Sequence, residues 1–395
     1  MKHRIVVLGA GYTGALTAGR LARRLHPDDS EITVVNAVPD FVERVRMHQV
    51  ATGQELKHRP LTDIYAGTGV DVRLARVTAV DVERKTVALL EEHGAGEIAY
   101  DTLVYALGSA ATDHGVPGAT EHAYDIAGRQ SALRLRERLN ELAAGGAVLV
   151  VGGGLTGIEA ATEIAESRPD LHVAIAARGV LGDWLSEKGR RHLRGVFDRL
   201  GIAVQEHTDI ARVEATGVVT GDGKTIPAQV TVWTAGFAVH PIAAATTLKV
   251  AGNGQIIVDG TMRSVSHPDV YAVGDAGLAD GSGGKPLRMS CASGIPMAMR
   301  AADAIAARLT GQKLPEGQIG YSQQCISLGR RDGLIQFVTA DDQPKPSVLM
   351  GKMAARYKEL ICKSAAWSID HPTLLAPTRR RHLSAAGVEN PVATS

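Results

Sequence analysis

Residues 5–14, with the sequence IVVLGAGYTG, decide the fold of this 395-residue chain. A run of β-branched and other apolar residues ends at Gly9, and a helical pattern follows over residues 13–25. The glycines Gly9, Gly11 and Gly14 therefore stand between a strand and a helix in the order Gly-x-Gly-x-x-Gly. This arrangement gives a tight turn, lets the backbone approach a pyrophosphate and directs the positive end of a helix at phosphate charge.

Residues 31–36 are predicted to form a second strand, which completes a βαβ unit. Such units usually carry an acidic residue near this point, because its carboxylate accepts hydrogen bonds from a ribose. Asn36 replaces it here. Since an amide can also hydrogen-bond a ribose hydroxyl, the unit is interpreted as a dinucleotide-binding domain.

The same pattern recurs in the middle of the chain. Residues 147–152, AVLVVG, are a predicted strand, residues 155–167 a helix and residues 171–177 the next strand. The second glycine fingerprint consists of Gly152, Gly154 and Gly157. We therefore predict an α/β fold with two Rossmann-like dinucleotide-binding domains and a C-terminal α+β segment.

The residues after the second βαβ unit bear on the choice of nucleotide. Ala177 occupies the position that corresponds to Asn36, and Arg178 follows it. Without a carboxylate nothing repels a 2′-phosphate, and a guanidinium can pair with it. These residues favour NADPH over NADH. The alternative is that Arg178 is a solvated surface charge, as most arginines are.

Two acidic residues are candidates for functional roles. Glu159 lies early in the second glycine-loop helix, where its carboxylate could orient a nicotinamide or relay a proton. The alternative is a carboxylate favoured there by the helix dipole alone. Gly274 and Asp275 end a predicted strand at residues 270–273, where an aspartate can accept hydrogen bonds from a sugar alcohol. Gly-Asp also serves turns, so this signal depends on the two glycine loops.

Composition excludes several classes of function. The chain has 43 Lys and Arg residues against 42 Asp and Glu residues, so no overall field attracts nucleic acid. Its three cysteines, Cys291, Cys325 and Cys362, include no close pair, which disfavours a disulfide framework and a metal site. No apolar run reaches the ~18 residues of a membrane-spanning helix or the length of a signal peptide. We expect a cytoplasmic protein.

Beyond the glycine loops, the pattern predicts further elements. Strands are predicted at 87–90, 97–104, 230–233 and 256–258, and a helix is predicted at 293–309. A hairpin is predicted from strands at 321–328 and 334–339. A polar turn is expected at 91–96, and Pro296 is acceptable only in the first turn of its helix. Residues 343–346 are expected to separate a basic tail, and the last dozen residues to be disordered.

Several segments, in order along the chain, resemble the flavoproteins that contain two dinucleotide-binding domains. Besides the two glycine loops, they are residues 102–109 (TLVYALGS), residues 234–236 (TAG) and Gly274-Asp275. Within that class the chain is similar to the type II NADH dehydrogenases and to apoptosis-inducing-factor-like oxidoreductases, which have the glutathione-reductase-like fold. The same likeness extends to segments 41–53, 233–241 and 259–270.

The resemblance implies an FAD-dependent NAD(P)H dehydrogenase that passes electrons from the flavin to a quinone or another small acceptor. FAD would contact Gly9, Gly11, Tyr12, Thr13, Gly14, Asn36, Arg44, Val77, Ala106, Gly108, Gly274, Asp275 and Ala292. NAD(P)H would contact Gly152, Gly154, Leu155, Thr156, Gly157, Arg178 and Gly236. The FAD domain would comprise 1–118 and 258–315, the NAD(P) domain 119–257, and a hairpin with a basic helical tail 316–395.

Two departures from the family pattern concern the electron acceptor. Residues 36–53 contain no cysteine, which disfavours thiol–disulfide chemistry. Type II NADH dehydrogenases usually carry an Ala-Gln…Gln pattern before the last FAD-domain helix, whereas residues 290–297 here are SCASGIPM. Cys291 is either a redox thiol near the flavin or a small buried hydrophobe. The alternatives are a flavin-dependent dehydrogenase or oxidase of a metabolite, with a vestigial NAD(P) site, and a non-enzymatic redox sensor.

The tail from Lys352 onward is basic, with seven Lys or Arg residues against three acids. Its apolar residues at helical spacing are Leu349, Met350, Met353, Tyr357, Leu360 and Ile361. A basic amphipathic helix can lie on an anionic membrane surface, here the inner face. It can equally cover the flavin domain or form a homodimer interface.

Overall fold

The computed structural model describes residues 1–374 and 379–384, and its two largest sheets have five strands each. The first sheet contains, from one edge to the other, β19 (Val270–Ala272), β7 (Thr102–Tyr105), β1 (His3–Leu8), β2 (Ser30–Asn36) and β3 (Val70–Leu74). All of its strand pairs are parallel. The apolar end of the central strand β1 is buried, as expected for a parallel sheet covered on both faces.

Helix α1 (Tyr12–Arg24) follows the first glycine loop and packs against helix α8 (Cys291–Leu309). Arg20 donates from Nε and Nη2 to the two carboxylate oxygens of Asp303, at 2.7 and 2.9 Å. Arg24 shares the same carboxylate at 2.8 Å. Because α8 comes late in the chain, these ion pairs fasten the returning segment to the first unit.

The second sheet is also parallel, and the second glycine loop follows its central strand. Its strands, in spatial order, are β12 (Ala203–Gln205), β11 (His172–Ala176), β10 (Ala147–Val151), β16 (Val230–Trp233) and β9 (Ala123–Tyr124). The helices of this unit are α5 (Arg129–Glu141), α6 (Leu155–Ser167) and α7 (Glu187–Leu200). The predicted α/β fold with two Rossmann-like units is confirmed.

Smaller sheets and short helices complete the described residues. The strands are β4 (Arg76–Asp81), β5 (Thr86–Glu91), β6 (Gly94–Ala99), β8 (Ser109–Ala111), β13 (Ile210–Glu214), β14 (Gly217–Thr220), β15 (Thr225–Pro227), β17 (Phe237–Val239), β18 (Ile256–Ile257), β20 (Gly277–Leu278), β21 (Gln323–Ser327), β22 (Gly333–Val338) and β23 (Pro344–Met350). The short α-helices are α2 (Met47–Ala51), α3 (Leu61–Tyr65) and α4 (Ala119–His122), and the last helix is α9 (Gly351–Asp370).

The chain passes between the two units through a short antiparallel pair, β8 with β17. After that crossing, Ala243, Leu248 and Ile256 pack in the core of the first unit. The chain has therefore returned to the first core before residue 258. The predicted domain divisions themselves stay predictions.

The structure corrects three sequence predictions near the first unit. The predicted strand at 97–104 is two strands, β6 and β7, in different sheets, and the turn between β5 and β6 is shorter than 91–96. Helix α8 begins at Cys291, so Pro296 is its sixth residue and not in the first turn. Since proline has no N–H, the carbonyl of Ala292 lacks its usual helical partner.

The C-terminal part departs further from the prediction. Residues 343–346 do not separate a tail, because β23 begins at Pro344 and pairs with β22. Leu349 and Met350 consequently lie in a strand and not on the predicted helix. Helix α9 follows directly, and the exposed apolar residues on it are Met353, Leu360 and Trp367. The predicted disorder of the last dozen residues concerns a segment that, apart from Ser384, lies outside the described residues.

Across residues 1–374 and 379–384, every helix is too short or too polar to span a bilayer. The same residues contain no group of three or more His, Cys, Asp or Glu side chains arranged to hold a metal ion.

Candidate functional site

The two glycine loops have the same local geometry. Gly9 and Gly152 adopt positive φ angles of 94° and 121°. A Cβ on Gly9 would lie 2.5 Å from the carbonyl oxygen of Ala106, and one on Gly152 would lie 2.8 Å from Thr234. These glycines are required by the turn itself, because a side chain would collide with the neighbouring strand end. Gly14 and Gly157 are restricted in the same way by the carbonyls of Gly9 and Gly152.

The middle glycines need a different explanation. Gly11 and Gly154 have ordinary φ angles of −70° and −76°. A Cβ at either position would meet no atom within 4 Å. Nothing among the described residues therefore requires glycine at these two positions. Close approach of a group from outside the chain, as of a pyrophosphate at a helix N-terminus, accounts for both residues, so the loops fit two dinucleotides.

A cavity of about 410 Å³ extends from the first glycine loop to α6, the helix that follows the second glycine loop. The predicted flavin-contacting residues that line it are Gly9, Gly11, Tyr12, Thr13, Asn36, Arg44, Ala106, Gly108, Gly274 and Asp275. From the second unit, Leu155, Thr156 and Glu159 line the same cavity. The fold thus brings the candidate FAD residues and part of the candidate NAD(P)H set to one space.

Other predicted site residues do not line this cavity. They are Gly14, Val77, Gly152, Gly154, Gly157, Arg178, Gly236 and Ala292. Val77 is buried in the core beside Leu89 of the neighbouring strand. Arg178 is 83% exposed and forms an ion pair with Asp209 at 3.1 Å. Arg178 therefore has the surroundings of a solvated surface charge, which was the alternative to a role in binding a 2′-phosphate.

Asn36 and Asp275 occupy the cavity wall with part of their hydrogen-bonding capacity in use. The Asn36 side chain accepts from the Ala10 N–H at 2.9 Å and donates to the Val38 carbonyl at 2.7 Å. The Ser109 hydroxyl donates to Asp275 Oδ2 at 2.6 Å. Asp275 Oδ1 accepts no hydrogen bond from any described residue, so it can accept one from a ligand hydroxyl.

Glu159 forms a buried ion pair at the far end of the cavity. Its Oε1 lies 3.0 Å from Lys358 Nζ and accepts the Ser327 N–H at 3.0 Å. His48 Nδ1 lies 4.0 Å from Oε2. Burial alone would raise the pKa of Glu159, but the Lys358 ammonium and the Ser327 N–H hold it below its ordinary value. The carboxylate is therefore ionised. Its position is fixed by Lys358 and the Ser327 N–H in addition to the helix dipole.

Two buried polar atoms of the cavity-lining residues have no partner among the described residues. These atoms are Nε2 of His48 and the hydroxyl of Tyr12. Burial lowers the pKa of His48 to about 4, so the imidazole is neutral at physiological pH. A buried polar atom without a partner costs about 1–3 kcal/mol. A ligand in the cavity could supply both missing hydrogen bonds, which is a second indication that the residues fit a bound cofactor or substrate.

The three cysteines surround the same ion pair. Cys291 lines the cavity, Cys362 lies one turn after Lys358, and the Lys358 ammonium donates to the Cys325 carbonyl at 3.0 Å. Desolvation raises the pKa of each thiol, that of Cys325 to about 11, and Cys291 is exposed and is not the small buried hydrophobe that the sequence allowed. Since the thiolate is the reactive form, a raised pKa makes these groups weak nucleophiles at neutral pH. Thiol-independent chemistry stays a prediction.

Sequence reasoning missed His48 and Lys358 as site residues. His48 lies in a five-residue helix without a recognisable periodicity, and Lys358 lies on α9, 199 residues after Glu159. A usable signal existed for His48, since it falls within the segment 41–53 that resembles the dehydrogenases. No local signal marks Lys358, because its partner comes from another unit.

Comparisons with known proteins agree with this fold. A family model described as pyridine nucleotide-disulphide oxidoreductase matches residues 3–304. The NADH dehydrogenase-like protein YutJ of Bacillus subtilis is 26% identical over 333 residues, which cover 84% of this chain and 91% of that protein. A type II NADH:quinone oxidoreductase of Staphylococcus epidermidis is 25% identical over 400 residues, covering 93% and 96%. The structure of NDH2 from Plasmodium falciparum in complex with NADH has a TM-score of 0.80 at 14% identity, covering 95% and 97%.

Proposed function

The chain belongs to the pyridine nucleotide-disulphide oxidoreductase family, and from this membership we propose that it is an NAD(P)H:quinone oxidoreductase. It is an NAD(P)H-dependent flavoprotein oxidoreductase that uses FAD. The flavin, when bound, supplies the redox chemistry by taking hydride electrons from the nicotinamide and giving them to an acceptor. The finer proposal, the quinone, is supported by the name of the Staphylococcus relative.

One observation carries the proposal: residues of both glycine-loop units line one cavity whose far wall is the Glu159–Lys358 ion pair. Gly11 and Asp275 would hold the FAD, at its pyrophosphate and at a sugar hydroxyl. Glu159 and Lys358 would hold the nicotinamide and the flavin ring together by charge and exclude water from the space between them. The ammonium of Lys358, kept charged by Glu159, is a hydrogen-bond donor for the oxygen of an acceptor.

The metabolite-oxidase alternative assumed that the NAD(P) site is vestigial. Gly154 argues against it, because the glycine faces open space in the same manner as Gly11. A degenerate loop would have no reason to keep that position free of a side chain.

The proposed activity is tested with FAD-loaded protein under anaerobic conditions. NAD(P)H should reduce menadione, a neutral naphthoquinone, with kcat/KM in the ordinary enzymatic range of about 10⁴–10⁸ M⁻¹s⁻¹. The measurement is the loss of nicotinamide absorbance. Turnover of oxygen or ferric complexes without any reduction of quinones would contradict the quinone assignment, and the flavoenzyme assignment would stand.

We also propose that NADPH is the preferred donor, on the strength of Ala177 and Arg178. Ala177 is 3% exposed and packs close to Gly153, so the strand end presents no carboxylate to a ribose. Arg178 is paired with Asp209, an exposed acid, and can exchange this partner for a 2′-phosphate.

Arg178→Ala should lower the ratio of kcat/KM for NADPH to that for NADH about fivefold, because an exposed ion pair contributes at most about 1 kcal/mol. Steady-state kinetics with both nucleotides measure it. The matched control is Arg212→Ala, which removes another exposed, ion-paired arginine. An unchanged ratio in Arg178→Ala would show that Arg178 is only a surface charge.

Contact with the inner face of a membrane is proposed for helix α9. Met353, Leu360 and Trp367 recur every seven residues and so share one face, with exposed fractions of 61%, 59% and 48%. Exposed apolar residues grouped in this way mark a surface that contacts another apolar phase or partner.

The variant Leu360→Glu/Trp367→Glu should co-sediment with vesicles of anionic phospholipid about tenfold less than the wild type, since two side chains lose their apolar burial. Leu90→Glu, at another exposed leucine, is the control. Vesicle binding unaffected by the double substitution would rule out this face. Loss of a dimer in size-exclusion chromatography would assign it to the predicted homodimer interface.

A further inference from the structure

A second cleft, of about 570 Å³, lies between helix α9 and the loop at residues 327–331. Its lining is strongly basic in a chain whose net charge is only +1. The basic side chains are Arg330, Arg331, Lys352, Arg356, Lys358 and Lys363. Glu359 is the acidic residue that lines it.

Most of these charges are neutralised within the protein. Arg330 pairs with Glu163 at 2.7 Å, Arg331 with Glu166 at 3.5 Å and Lys358 with Glu159 at 3.0 Å. Glu359 is itself held between Arg46 and Lys363, at 3.1 and 3.4 Å. The carboxylates around the cleft are therefore already occupied by cations.

Lys352 and Arg356 differ from the other cations. Neither side chain forms an ion pair or hydrogen bond with any residue that the structure describes. They lie four residues apart on α9, where neighbouring like charges destabilise a helix. A bound anion would relieve this repulsion, and the cleft places them where one can enter.

Gln49, which also lines the cleft, provides an independent indication. It is 5% exposed, and its Oε1 accepts from Arg46 Nη1 at 3.1 Å. Its amide nitrogen has no hydrogen-bond partner among the described residues, although the residue lines the cleft. An N–H donor without a protein partner, in a cleft lined by two unpaired cations, is suited to an anionic oxygen.

The cleft adjoins the cofactor cavity. Lys358 lines both spaces, and Ser327 of the cleft donates its N–H to Glu159 of the cavity. A molecule whose charged end contacts Lys352 and Arg356 is therefore close to the Glu159–Lys358 ion pair. The reaction is proposed to occur on the other side of that pair.

We propose that this cleft binds an anionic group, a sulfonate, carboxylate or phosphate, carried by the electron acceptor. The inference rests on the proposed quinone reductase function and specifies its substrate class. NAD(P)H is oxidised to NAD(P)⁺ with loss of a hydride, and the quinone gains two electrons and two protons, one of them from solvent, to become the hydroquinone. The anionic group takes no part in this exchange and serves to bind and orient the acceptor.

The test compares a naphthoquinone sulfonate with neutral menadione on the FAD-loaded enzyme. In Lys352→Gln/Arg356→Gln, the ratio of kcat/KM for the sulfonate to that for menadione should fall about tenfold, and the wild-type ratio should fall with added salt. The control variant, Lys188→Gln/Lys249→Gln, removes the same charge from positions that do not line the cleft and should keep the wild-type ratio. Equal ratios in all three proteins would overturn the proposal.

Direct binding separates this inference from the proposed function. Calorimetric titration with the naphthoquinone sulfonate should give binding to wild type and to Gly154→Ala, and about tenfold weaker binding to the double variant. If the enzyme reduced menadione but neither preferred nor bound the naphthoquinone sulfonate, the inference alone would be contradicted. Failure to reduce either quinone would sink the proposed function. Binding only to vesicles with phosphate headgroups would assign the cleft to lipid and overturn the acceptor site.

Discussion

The ion pair between Glu159 and Lys358 determines how the parts of this molecule meet. Glu159 belongs to the helix after the second glycine loop, Lys358 to the last helix, and the Ser327 N–H that completes the contact to the C-terminal hairpin. Both side chains are nearly buried, at 11% and 17% exposure. Removing one partner of a buried ion pair costs about 3–5 kcal/mol, because the other charge remains without compensation. The pair therefore fixes the C-terminal helix against the second unit and builds the shared wall of cavity and cleft.

The glycine loops impose a second constraint, which separates folding from binding. Gly9 and Gly152 are needed for the turn, since a side chain there would meet the next strand end. Gly11 and Gly154 are not needed for folding, because their surroundings are open. Two equivalent positions free of internal contacts, one in each unit, are best explained by two ligands with similar phosphate groups.

The sequence predicted the elements around the glycine loops closely, and α6 at residues 155–167 agrees to the residue. Periodicity and buried parallel strands are local signals. The strand β23 was missed because Pro344 and Pro346 argue against a strand, yet β23 is an edge strand, where proline is tolerated. Lys358 could not be assigned a role, because its surroundings depend on packing between segments far apart in the chain, whereas His48 was marked by the resemblance of segment 41–53 to the dehydrogenases. The cleft depends in the same way on two cations that remain unpaired after folding.

The central claim is that the first glycine loop holds FAD and the second holds the nicotinamide nucleotide. The most direct measurement compares Gly11→Ala with Gly154→Ala for FAD content and for the dissociation constant of NADP⁺. Neither substitution meets an internal atom, so each should cost less than about 1 kcal/mol in unfolding free energy, as for a helix N-cap. The account predicts that Gly11→Ala weakens FAD binding about tenfold or more and that Gly154→Ala does the same for NADP⁺ alone, because an added methyl group costs about 1–3 kcal/mol in a tight contact. Weakening of the same ligand by both substitutions, or of neither ligand by either, would contradict it.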